Sequence, residues 1–386
     1  MKLAVVTSTG ELGGAETTDI HTLSALVEMG VDLYVALPAD GELRDRLSGV
    51  GARCTVVESP RKLDDLSRRY LTRSAQETPR LLTATVGYER RLGRWIRTLS
   101  PQGCLAMGFR AQLATSPVAS LLRLPTAWIA SDFIPTDSVP ARLWSAFARQ
   151  WPRVVLTYSH AAARQPALAG VGNVVVVHSG IELDKFPEGP ADRPPLLAMI
   201  GHLTPLKNHL GFIEVLRLVR ESIPQARGTI AGRSIYRTGP HGGYADRVRA
   251  EVEAFDPPGA LELRALKPEE VGGLLREAAL LVHMSLAPET FGLVCVEAMA
   301  SGCPVVAFNG GAIPEVVDDS GVLVETGDVS AVATACSDLL RDDRRRAVLA
   351  GRGRRRVEER FLAREAGVHS ARAIIAGLGL GASASD

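Results

Sequence analysis

A chain of 386 residues exceeds what one hydrophobic core usually supports, so two domains are expected. A net charge of +1, with 46% hydrophobic and 23% charged residues, excludes a molecule-wide polyanion-binding field and with it a nucleic-acid partner. No apolar run reaches the roughly 20 residues that span a bilayer, and five scattered cysteines without a C-x-x-C pair point to a reducing, cytoplasmic setting.

In chain order, "MKLAVVTSTG" reads as a strand, Leu3 to Thr7, followed by the Gly-rich turn "STGELGGAE". A helix from Ala15 to Met29, ended by Gly30, and a strand from Val31 to Leu37 complete a βαβ opening. The basic excess of the first half is concentrated in residues 61–97, whose second half suits an amphipathic helix with Leu92, Trp95 and Ile96 on one side. Such a face usually packs on its own domain, and membrane contact is not expected.

Short strand-like runs recur at "CLAMGF", "TAWIAS", "VVLTYS" and "NVVVVH", with helical patterns between them. That alternation predicts a parallel, doubly wound sheet. Residues 181–195, "IELDKFPEGPADRPP", cluster proline and charge without periodicity and read as a linker. A second strand–helix series follows. The expected architecture is α/β: a domain at 1–182, completed by a C-terminal helix at 365–380, and a second at 193–362.

The segment "PETFGLVCVEAMASGCPVV", residues 288–306, is the most informative. It follows the strand "LLVHMS", so its loop lies at a strand's carboxyl end, where open α/β sheets bind ligands. Thr290 reads as the helix N-cap, and Phe291, Gly292 and Leu293 present backbone amides suited to a diphosphate. Glu297, seven residues after Thr290, then falls two turns down the same face. A carboxylate among Leu293, Val294, Cys295, Val296, Ala298 and Met299 needs a partner. Vicinal ribose hydroxyls are one such partner, and a buried arginine or backbone donors are another. Glu289, in the loop, sits nearer a sugar beyond the phosphates.

The same stretch, continued as "AFNGGAIPEVV", resembles the donor-site motif of retaining GT-B glycosyltransferases of the family 4 type, P-E-x-F-G-x-x-x-x-E-A-M-A-x-G-x-P-V-V followed by G-G-x-x-E. The resemblance implies two Rossmann-like doubly wound domains facing across an interdomain cleft, with the acceptor on the N-terminal and the nucleotide sugar on the C-terminal domain. It implies that Glu297 binds the ribose, that Glu289 lies beside the donor sugar, and that Phe291, Gly292 and Leu293 hold sugar and phosphate. Gly13 and Gly14 match the glycines that approach the phosphates from the first domain. "IGHLTPLKNHLGFIEVL" is similar to the segment whose arginine and lysine neutralise the leaving diphosphate. Lys207 is kept, but His202 stands where the arginine is usual, a loss that Arg233 is placed to offset. Ser131-Asp132 replaces the family's His-Asp pair, so no histidine role carries over. Asp132 either binds or deprotonates the acceptor or caps its loop as an Asx turn.

No D-x-D occurs and no histidines have metal-ligand spacing, so no metal and no cofactor beyond the nucleotide-sugar co-substrate is expected. Glu11, Glu16 and Asp132 suit a cationic acceptor, alongside Ser131. The leading expectation is a retaining hexosyltransferase using a UDP-sugar and a small acceptor such as an aminocyclitol or antibiotic scaffold. A nucleotide-sugar epimerase, a sugar phosphorylase, a lipid or cell-envelope glycosyltransferase and a non-catalytic sugar-binding module remain alternatives. A dinucleotide oxidoreductase fits poorly, because Gly10, Gly13 and Gly14 do not form G-x-G-x-x-G.

Overall fold

The computed structural model describes residues 1–60, 78–233 and 243–380, with 78–84 as backbone only. The chain forms two compact units, Met1–Ser179 with Ala363–Asp386, and Gly180–Leu362. The last expected element, a helix near the C-terminus, spans Ala363–Leu378 and belongs to the first unit.

Unit 1 is a seven-stranded parallel sheet in the order β3-β2-β1-β4-β5-β6-β7, the strands being Lys2–Thr7, Asp32–Leu37, Arg53–Val56, Gly103–Met107, Thr126–Ile129, Pro152–Thr157 and Val174–Val176 in chain order. β4 (GCLAM) and β5 (TAWI) are buried along their whole length. This is why they read as continuous apolar runs and not alternating ones: helices cover both faces. The Thr78–Leu99 helix buries Tyr88, Leu92 and Ile96 in the unit's core and packs Trp95 against it, leaving Arg90, Arg94 and Arg97 outside. Its apolar side is thus taken up by its own unit. The basic residues 61–77 and the tail 381–386 lie outside the described residues.

Unit 2 is a six-stranded parallel sheet in the order β10-β9-β8-β11-β12-β13. The strands are β8 Leu196–Ile200, β9 Arg227–Ala231, β10 Leu261–Arg264, β11 Leu280–His283, β12 Val305–Phe308 and β13 Gly321–Val324. In each unit the strand order reverses beside a central strand: between β1 and β4, and between β8 and β11. At such a switch point the loops leaving two neighbouring strands diverge to opposite faces and open a crevice at the carboxyl edge. Among the described residues no helix is long and apolar enough to cross a membrane.

Candidate functional site

The switch point of unit 2 gathers most of the sequence-predicted residues. After β8 the chain runs through His202 into a short 3-10 turn, Pro205–Lys207, and then, by way of Asn208 in a left-handed conformation, into the His209–Ser222 helix. After β11 it runs through Ser285 to Glu289. The two loops bring Lys207 Nζ onto Glu289 Oε1 as a hydrogen-bonded ion pair, both side chains mostly covered at 26% and 19% exposure. Lys207 is therefore not a solvated helix-start lysine.

One further residue stands here that sequence reasoning missed. His283, the last residue of β11, is buried, with Nε2 3.4 Å from Glu289 Oε1. The available signal was a histidine at the end of the otherwise apolar run "LLVH", a position that faces the carboxyl edge. Burial alone raises the pKa of Glu289, but His283 and the charge of Lys207 outweigh it and hold the carboxyl well below the usual carboxylate range. Glu289 is an anion at any ordinary pH.

Its backbone is fixed as tightly. The carbonyl of Glu289 accepts from Ala312 N at 2.8 Å, and Glu289 bridges Gly311 in parallel register. Gly311 has φ +60, and a Cβ there would lie 2.4 Å from the backbone N and O of Glu289, so only glycine permits the approach.

The sequence reading of the next helix needs correction. It spans Leu293–Ala300 with Gly292, φ +94, at the N-cap; Thr290 lies outside it. Gly292 holds a left-handed φ of +94, which the helix cannot include and glycine adopts without cost, so the helix begins two residues later than a Thr cap predicts. Glu297 is hence one turn into the helix and not two. Phe291 is buried against the ring of Phe361, at 5.5 Å between centroids, and anchors the loop. The amide of Leu293, at the first helical position, has no acceptor within its own helix.

Glu297 itself is half-buried, and burial pushes its pKa up to about 7 with no charged group offsetting it. Its backbone carbonyl accepts from Ser301 Oγ at 3.0 Å. Among the described residues, no arginine and no backbone donor bonds the carboxyl. Cys295, on the same helix, has its thiol pKa raised by burial first and then by the charge of Glu289, with Lys207 opposing and Glu297 adding to it.

His202 is partly covered, and burial followed by the charge of Lys207 lowers its pKa, so it sits beside the lysine as a neutral ring. Arg233 follows β9; its carbonyl accepts from Leu203 N at 3.1 Å and its side chain is exposed. A cavity of about 500 Å³, lined by Pro190, Pro194, Arg227, Arg264 and Arg276, lies elsewhere, where β8 and β9 begin, at the opposite edge of the sheet from this cluster.

In unit 1 the corresponding edge carries acidic groups. Gly13 caps the Gly14–Glu28 helix, and the Glu16 carboxylate lies beside it, where the backbone amides of Glu16 and Gly13 lower its pKa against the effect of burial. Burial raises the Glu16 pKa, and the charge of Asp132 pushes the same way. Asp19 is buried and bonded to the hydroxyl of Tyr158. Ser131 is half-buried and Asp132 exposed on the loop after β5, which Gln165 fixes by donating to Asp132 O at 3.1 Å and accepting from Ile134 N at 2.8 Å. Glu11 is exposed in the turn before the Gly14–Glu28 helix, its amide donating to Thr9 Oγ1 at 3.0 Å.

Comparison with known proteins agrees with this arrangement. The model of the family described as glycosyl transferases group 1 matches residues 180–356, which is nearly all of unit 2. The D-inositol 3-phosphate glycosyltransferase of Mycolicibacterium smegmatis is 33% identical over 190 residues, 45% of this chain but only 41% of that relative's length. The enzyme of the same description from Mycolicibacterium gilvum is 27% identical over 360 residues, 87% of this chain and 79% of its own. Among solved structures, HepE of Anabaena in complex with UDP-glucose superposes with a TM-score of 0.79 at 19% identity, covering 97% of this chain and 100% of that one. Two doubly wound parallel units and these matches give the chain the GT-B fold, and its C-terminal unit matches the glycosyl transferases group 1 model over residues 180–356, just under half of the chain.

Proposed function

We propose that the protein is a retaining glycosyltransferase that moves a hexose from a UDP-sugar to a hydroxyl of a small cyclitol-type acceptor without a resident metal. The observation that carries this reading is the pairing, at one switch point, of a charged Lys207–Glu289 couple with a half-buried carboxyl, Glu297, that has no partner among the described residues. A nucleoside diphosphate supplies what each lacks. Its ribose hydroxyls donate to Glu297, and its phosphates draw Lys207 and the amides that open the Leu293–Ala300 helix.

Two residues then divide the work. Lys207 neutralises the charge that develops on the departing diphosphate. Glu289, kept ionised by Lys207 and His283, stands beside the sugar where positive charge builds at the anomeric carbon. The acceptor hydroxyl attacks from the face the diphosphate leaves, and its proton passes to a phosphate oxygen; the chain's task is to hold the partners and match charge.

Relatives that act on inositol 3-phosphate support a cyclitol acceptor. The acidic edge of unit 1, with Glu16 and Asp132 near one another, favours a neutral or amino-substituted ring over a phosphorylated one. Four cysteines are buried, Cys54 is half-buried, and all five are free, which supports a reducing, cytoplasmic setting. The test is UDP release from a panel of UDP-sugars, with and without inositol, inositol 3-phosphate and an aminocyclitol, followed by assignment of the product's anomer. Release that depends on the acceptor, with retained configuration, is expected. Failure of every nucleotide diphosphate to bind would overturn the reading.

A further inference from the structure

The Leu293–Ala300 helix, eight residues and about 12 Å long, has Glu297 in its second half. Every carbonyl at its C-terminal end is accounted for. Glu297 O accepts from Ser301 N and Oγ, both at 3.0 Å, Ala298 O from Cys303 N at 2.8 Å, and Met299 O from Gly302 N at 3.1 Å. The last two carbonyls take donors from distant sequence. Ala300 O accepts from Arg354 Nη1 at 2.6 Å, and Ser301 O accepts from Arg193 Nη2 at 2.6 Å and from Gly189 N at 3.1 Å.

Both arginines hold the connecting segment at the same time. Arg193, only 9% exposed, belongs to it, and its Nε bonds Pro190 O at 3.0 Å. Its Nη1 bonds Ala278 O at 2.9 Å, at the end of the Pro268–Glu277 helix. Arg354 Nη1 also bonds Phe186 O at 3.1 Å. The guanidinium of Arg193 thus lies where two helix C-termini converge, and their partial negative charge holds a buried cation in place. A planar fork spans these carbonyls; a lysine's single ammonium does not.

We propose that Arg193 and Arg354 are positioning residues for nucleotide binding, fixing the Leu293–Ala300 helix against segment 186–193 and so setting where the Glu297 carboxyl meets the ribose. The proposal rests on the donor-site reading above. Because the helix is short and pinned at its far end, a shift of the connecting segment tilts it and moves Glu297.

The test is UDP titration by calorimetry on the full chain, with unfolding temperature measured in parallel. The variants are Arg193→Lys, Arg354→Lys, Glu297→Gln and each arginine variant combined with Glu297→Gln. Leu339→Ala, a core truncation in the Val329–Arg341 helix, reports what mere destabilisation does. Each arginine variant is expected to weaken UDP roughly tenfold, with KM for the nucleotide sugar rising and kcat nearly unchanged. In the Glu297→Gln background that loss should vanish, a coupling that a purely structural role does not produce. Should one arginine variant not fold, the other carries the same test. Unchanged UDP affinity in a folded arginine variant, an additive double variant, or an equal loss in Leu339→Ala overturns the proposal while leaving the donor-site reading intact. Absence of UDP binding by the wild type overturns both.

Discussion

The carboxyl edges of the two sheets share a topology and differ in charge. In unit 2 a lysine and a histidine face Glu289, and Glu297 stands without a partner among the described residues. In unit 1 burial first, and then the charge of Asp132, raise the pKa values of Glu16 and Asp19, and Glu16 stands beside the N-terminus of its own helix. Under the proposed function the two edges serve different ligands, the one in unit 2 an anion met by a cation and the one in unit 1 hydroxyls or an amine met by carboxyls. Fold supplies the crevice; the few side chains at its rim decide the ligand.

Removing the cation should break this contrast most severely. Lys207→Ala is expected to lower kcat by about 10² to 10³, the scale for losing one electrostatic stabiliser of a developing anion, and steady-state kinetics with the preferred UDP-sugar measure it. An unchanged kcat would mean that unit 2 does not use its lysine on the phosphates.

The unpartnered carboxyl gives the next effect, on stability. Its folded pKa of about 7 lies above the ordinary 4.5, so the folded state binds the extra proton. The stability contribution is complete below pH 4.5 and is lost as pH rises through 7, by at most about 3 kcal/mol on linkage arithmetic. Glu297→Gln should match the wild type at pH 5 and exceed it at pH 8 by roughly 1–3 kcal/mol in denaturant unfolding. Equal pH profiles for the two proteins would show that the carboxyl is already satisfied.

His283→Leu sharpens the contrast from the other side. Glu289 keeps Lys207 but loses a close polar neighbour, so turnover should fall by a few-fold to about tenfold while UDP affinity holds, the scale of losing one polar contact to a buried carboxylate. Smallest of all, Asp132→Asn should raise the KM of an amino-substituted acceptor by a few-fold, on the scale of an exposed charge contact, and leave UDP binding unchanged; a loss of UDP affinity would assign Asp132 to the wrong ligand.

Much of this was legible in the sequence, for physical reasons. Continuous apolar strands such as "CLAM" and "LLVH" announce sheets covered on both faces, and turn residues mark their ends. The Glu289 and Glu297 spacing pointed to a site because a carboxylate in an apolar helix demands a partner. What escaped notice depended on contacts distant in sequence. The helix starts after Gly292 and not after Thr290 because the chain turns through a left-handed φ at Gly292, beside Ile313 twenty-one residues on. His283 matters only because the loop returns Glu289 to the end of its strand. Arg193 read as one charge in a Pro-rich linker, and its role emerged only when two helix ends were seen to converge on it.

The most direct test of the account is the affinity of the wild type and of Glu297→Gln for UDP, measured by calorimetry between pH 5.5 and pH 8.5, chosen as about 1.5 pH units on either side of the Glu297 pKa. The account predicts that wild-type affinity rises as the Glu297 carboxyl ionises near pH 7, that Glu297→Gln lacks this rise, and that the two proteins differ most at high pH. Parallel profiles for the two proteins, or no UDP binding at any pH, would contradict it.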